Sequence, residues 1–140
     1  MSTNYWPSES WSTSEASLTC TISTSRLLAY LFSDARGGFA GLCGFCSWVP
    51  LKAMEELQVA SAAEGLRSIP VLLEHCRDDE VITVGNGQHL QGWLQSLGFG
   101  VQWHEYADGG HWVNEPQGVD DLVGFLRAIM ARLPGDGEKE

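Results

Sequence analysis

Apolar and polar positions alternate along this chain in blocks that read as helices and strands of an α/β fold. Residues 1–24 are serine- and threonine-rich and hold no sustained period, which predicts a disordered leader without a convincing strand. Ser25 to Ser33 has the composition of a short helix, ended at Arg36, Gly37 and Gly38. Phe39 to Val49 is an almost unbroken apolar run bounded by glycine and Pro50, the pattern of a strand covered on both faces. A buried helix is the alternative there, and Gly41 and Gly44 weigh against it. Lys52 to Leu66 reads as a loop with a short helix. Ile69 to Leu73 is a branched-residue strand that ends in the polar cluster Glu74 to Asp79. Gly85 to Leu97 is a helix facing inward through Leu90, Leu94 and Leu97 and closed by Gly98. Phe99 to Tyr106 alternates as a strand, and Ala107 to Gly110 turns the chain toward His111. Asp120 to Leu133 is the clearest helix, with Leu122, Phe125, Leu126, Ile129 and Leu133 on one stripe.

Strands separated by crossover helices predict a mostly parallel sheet flanked by helices. Chemistry in such sheets collects at the carboxyl ends of the strands. Both polar clusters of this chain fall at such ends: Asp78 and Asp79 after one strand, His111 after the next. A carboxylate beside a histidine fixes its tautomer and steadies the imidazolium formed when the ring takes a proton. The competing reading of Asp78 and Asp79 is a turn or cap. His75 reads as a loop hydrogen-bonding residue, His89 as solvent-facing on a helix and His104 as a strand residue.

Composition narrows the partners. Eight basic residues stand against 18 acidic ones, a formal charge of -10 in 140 residues. That surface repels phosphate backbones, so nucleic acid is not expected as a partner, nor is attachment to anionic lipid. Cys20, Cys43, Cys46 and Cys76 read as free thiols of a reducing compartment. The Cys43 and Cys46 spacing lacks the second pair that a zinc site needs, and neither a metal nor a cofactor is expected. No basic and apolar leader of the secretory type and no span of membrane length is present, so a cytoplasmic protein without an integral membrane segment is expected.

Three segments carry a family resemblance. Gly37 to Leu42 followed by Gly44-Phe45-Cys46-Ser47-Trp48-Val49-Pro50-Leu51 is similar to a strand ending in G-x-S-G-W-x-P-L. His75-Cys76-Arg77-Asp78-Asp79-Glu80-Val81-Ile82 resembles an H-G-x-x-D-x-V-V segment, and Gly109-Gly110-His111-Trp112-Val113 a histidine-bearing loop. Together they resemble the acyl-protein thioesterase and phospholipase/carboxylesterase family of α/β-hydrolases, its fungal members above all. The resemblance implies Asp79 as triad acid, His111 as triad base, and Trp112 and Leu51 in the acyl site. Trp48 is read either there or in the core. Implied substrates are acylated proteins, lysophospholipids or small carboxylic esters.

The chain departs from that family in two places. Cys76 stands where the family has glycine. No G-x-S-x-G elbow exists. Register from Tyr30 and Gly41 puts the nucleophile slot at Ile22, next to Ser23, whose threonine and serine flanks would crowd a tight elbow. The expected organisation is a leader over 1–24, the C-terminal part of an α/β-hydrolase domain over 25–134 with its N-terminal half missing, and an acidic tail over 135–140. Such a piece is expected to be an inactive ester or thioester hydrolase. The alternative is a non-catalytic remnant that binds a partner, with the open sheet edge as a route to self-association.

Overall fold

A computed structural model of the chain describes residues 17–21, 39–58 and 68–132. Four strands form one parallel sheet in sequence order: β1 (Ser17–Thr21), β2 (Phe39–Phe45), β3 (Val71–Cys76) and β4 (Val101–Tyr106). Helix α1 (Leu51–Gln58) follows β2, α2 (Val84–Ser96) joins β3 to β4, and α3 (Gln117–Arg132) follows β4. This is the expected α/β architecture of a parallel sheet with flanking helices. The helix read over Ser25 to Ser33 and the candidate Ser23 lie outside the described residues.

β3 is the centre of the sheet, and every one of its residues is buried. Its alternation sorts the core into two layers. Val71 and Leu73 join Leu42, Val49, Ile69, Leu90, Trp93, Leu94 and Phe99 on the α2 side. Leu72 joins Cys43, Phe45, Phe125 and Ile129 on the α3 side. Each such apolar side chain contributes about 1.5–3 kcal/mol when fully removed from water. α2 closes as its sequence predicts: Gly98 takes a positive φ of 93°, and the amides of Gly98 and Phe99 reach back to the carbonyls of Gln95 and Leu94.

Several boundaries differ from the pattern reading; β4 begins two residues later than expected, at Val101, and α3 three residues earlier, at Gln117. β3 begins two residues later than expected and runs through the polar residues to Cys76. Glu74 pairs in register with His104 and His75 with Glu105, so the ladder continues beneath two helical layers. β2 stops at Phe45 rather than Val49, because Cys46 adopts φ 47° and turns the chain off the sheet. A strand also precedes Ser23 after all: Ser17–Thr21 pairs in parallel with β2. Its polar composition hid it, but a strand at the edge of a sheet needs only backbone pairing on one side, and threonine is a good strand former.

Because all four strands are parallel, their carboxyl ends share one rim. The loops at 46–50, 77–83 and 107–116 leave from that rim and build the site.

Candidate active site

Asp79 sits in the loop after β3 and His111 in the loop after β4. Asp79 Oδ2 lies 2.9 Å from His111 Nδ1. The carboxylate side chain is fully buried, and the imidazole is one-third exposed. The other carboxylate oxygen, Oδ1, accepts the amides of Val81 and Ile82, each at 2.9 Å. One carboxylate thus caps the loop amides through Oδ1 and contacts the imidazole through Oδ2. Burial alone would raise the Asp79 carboxyl. The hydrogen bonds from His111, from the Ile82 and Val81 amides and from the Cys46 thiol outweigh it and hold the group below its ordinary value. An ionised Asp79 makes His111 Nδ1 the donor and leaves Nε2 as the ring's proton acceptor.

Two further side chains crowd Asp79. His75 Nε2 is 3.4 Å from Oδ2 and donates to the Ile82 carbonyl at 2.7 Å. That is the loop bond expected of His75. The Cys46 thiol points beneath the His111 loop, toward the carbonyls of Trp112 at 3.5 Å and Gly110 at 3.7 Å. The donor atoms of Cys46, His75 and Asp79 all lie within 4.8 Å of one another, a set that could ligate a metal ion by type. Cys46 Sγ and His75 Nε2 already face backbone carbonyls, and Asp79 is held by two backbone amides and His111, so the three form a hydrogen-bonded cluster around the carboxylate in which His75 Nδ1 is buried and unpaired. Burial and the neighbouring Asp79 push the Cys46 thiol up to about 12, which removes it as a thiolate nucleophile near neutral pH.

The two candidate acyl-site residues fall on the same rim. Trp112 follows the candidate base directly and is 62% exposed; Leu51 opens α1 and is 70% exposed. Trp48 is also exposed, at 42%, which places it outside the core.

Pattern reading missed two groups. Asn114 lies three residues before α3: its side-chain oxygen accepts the Gly118 amide at 3.1 Å in the helix's first turn, and its amide group donates to the Asp108 carbonyl at 2.8 Å. An asparagine shortly before a helix is a capping signal that the sequence did offer. Glu74 is the second. It is buried on β3 against α3, with both carboxylate oxygens lacking a hydrogen bond. Nearby, Asp121 accepts from the Tyr106 hydroxyl at 2.7 Å and from His104 Nδ1 at 3.1 Å. Burial, with Asp121 adding to it, lifts the Glu74 carboxyl to about 7. No pattern rule anticipates an unpaired acid at a core position.

Comparison with known proteins gives a consistent picture. The family described as phospholipase/carboxylesterase matches residues 26–130. Acyl-protein thioesterase 1 of Gibberella zeae is 29% identical over 101 residues, which cover 72% of this chain and 41% of that protein. The crystal structure of Arabidopsis thaliana SOBER1 superposes with a TM-score of 0.62 at 17% identity, over 81% of this chain and 52% of that one. Zea mays acyl-protein thioesterase 2 superposes with a TM-score of 0.58 at 22% identity, over 76% and 49%. The chain thus spans about half the length of the relatives it matches. The solved structures share the fold. Among the described residues no helix is long and apolar enough to cross a membrane.

Proposed function

The chain belongs to the phospholipase/carboxylesterase family, and from that premise we propose that it carries the acid and base of a serine-type ester or thioester hydrolase, Asp79 and His111. The observation that carries the reading is the 2.9 Å contact between a buried carboxylate and a part-exposed imidazole at the carboxyl rim of a parallel sheet. In the reaction His111 Nε2 takes the proton of a serine hydroxyl as that oxygen attacks the acyl carbonyl. The imidazolium then returns the proton to the departing alcohol or thiol. Asp79 remains ionised throughout, orienting the ring and offsetting its charge. Water repeats the sequence and frees the acid. The exposed apolar side chains of Trp112 and Leu51 suit an acyl chain, and the family resemblance points to acylated proteins, lysophospholipids or small carboxylic esters as substrates.

The nucleophile is where this chain departs from an intact enzyme. β1 ends at Thr21, and Ser23 follows two residues later without elbow glycines. Alone, the chain is expected to hydrolyse p-nitrophenyl butyrate at the rate of buffer, with His111→Ala identical. Fusing it behind an N-terminal α/β-hydrolase portion that carries a G-x-S-x-G elbow supplies a serine. That chimera is expected to hydrolyse the ester in a His111-dependent way. A folded chimera that stays inert, or one indifferent to His111→Ala, would defeat the reading and leave a binding role for the chain.

A further inference from the structure

We propose that Asp78 is a positioning residue for His111: its carboxylate clamps the turn at Gly109 and Gly110 that delivers the imidazole to Asp79. This rests on the reading of His111 as the base. Asp78 Oδ1 accepts the Gly110 amide at 2.8 Å, and Oδ2 accepts the Gly109 amide at 3.3 Å. The two glycines have φ values of 63° and 130°. Successive amides in such a conformation turn toward one side and form a small anion-binding concavity. The carboxylate fills it, and His111 is the next residue along the chain.

The other contacts to this loop are weaker or act elsewhere. Beneath it, Cys46 and Cys76 direct their thiols at the Trp112 carbonyl, at 3.5 and 3.6 Å, and sulfur is a poor donor. Asn114 fixes the loop at Asp108, before the turn. Asp78 therefore supplies the charge-assisted bonds nearest the base. Two consecutive residues of the β3 loop divide the work on the β4 loop. Asp78 sets the backbone just ahead of His111, and Asp79 sets its ring. Because a hydrogen bond weakens steeply with misalignment, a turn free to shift by an ångström would loosen the Asp79 contact. Asp78 and Gly109 are exposed and Gly110 is half-buried, so removing the carboxylate leaves two amide donors within reach of water rather than a buried orphan donor, and the fold is expected to survive the change.

The test is NMR on the full chain. Two-bond proton–nitrogen spectra report which nitrogen of the neutral His111 ring carries the proton, and amide hydrogen exchange reports the turn. In the unsubstituted chain the proton is expected on Nδ1. In Asp78→Ala the Gly109 and Gly110 amides are expected to exchange on the order of tenfold faster or more, and the ring to populate both tautomers, with the unfolding midpoint in urea little changed. Asp78→Asn, which keeps one acceptor oxygen, should fall between. A ring still fixed on Nδ1 in Asp78→Ala overturns the proposal. A ring not fixed on Nδ1 in the unsubstituted chain, and unresponsive to Asp79→Asn, overturns instead the pairing on which the base assignment depends.

Discussion

Replacing Glu74 with glutamine should stabilise this protein, by an amount that grows as pH rises from the ordinary carboxylate value toward 7 and then levels off. Glu74 is 3% exposed, and neither of its oxygens has a hydrogen-bond partner. Its carboxyl is raised from 4.5 to about 7 by burial first and by the nearby Asp121 second, with Tyr106 as the one neighbour pulling the other way. A carboxyl raised in the folded state favours folding while it is protonated in both states, below the unfolded value. That contribution is lost as pH climbs through the folded value. The displacement from 4.5 to about 7 corresponds to about 3 kcal/mol at roughly 1.4 kcal/mol per pH unit. Glutamine carries no charge at any pH and escapes the loss. Urea unfolding of the two proteins between pH 5 and pH 8 is the assay. The stability difference should swing toward Glu74→Gln by about 2–3 kcal/mol across that range, with the steepest change below pH 7. A difference constant with pH would show that Glu74 ionises normally in the folded protein, and the unpaired-acid account would fail.

Two other consequences are open to measurement. Gly109→Ala places a methyl group 2.6 Å from Cys76 Sγ at a φ of 130°, so thermal or urea unfolding should show a loss of about 2–4 kcal/mol; a loss under 1 kcal/mol would contradict the tight seating of the turn. Cys46 should resist alkylation in the native chain, since a thiol raised to about 12 has on the order of a thousandfold less thiolate at pH 8 than an ordinary one. Peptide mapping after timed iodoacetamide exposure, with and without urea, checks this, and equal labelling in both would refute the burial.

Periodicity made α2, β4 and α3 legible, because each presents an apolar face of regular spacing to a core on one side. It failed at β3, where Glu74 and His75 look like the start of a loop but lie between two helical layers. It failed also at Ser17–Thr21, whose strand rests on backbone pairing at the edge of the sheet. Asp79 and His111 were found because strand ends collect chemistry and because their motifs resemble a known family. The contact between them joins residues 32 apart, which no local pattern encodes. Asp78, read only as turn or cap, bonds across a similar gap to a different loop. The apolar neighbours of Cys46 read as a strand, and nothing in the sequence signals the positive φ that sends its thiol under the His111 loop.

The proposed pairing of Asp79 with His111 as acid and base is tested most directly by the kcat of the elbow-bearing chimera with and without Asp79→Asn. An asparagine can still cap the Val81 and Ile82 amides through its oxygen, but it presents an amide where His111 needs an acceptor, and so holds the ring in the wrong tautomer. The account predicts a fall in kcat on the order of 10⁴-fold with folding retained. A fall of less than about tenfold would mean that the buried carboxylate does not govern the imidazole, and the hydrolase assignment would be contradicted.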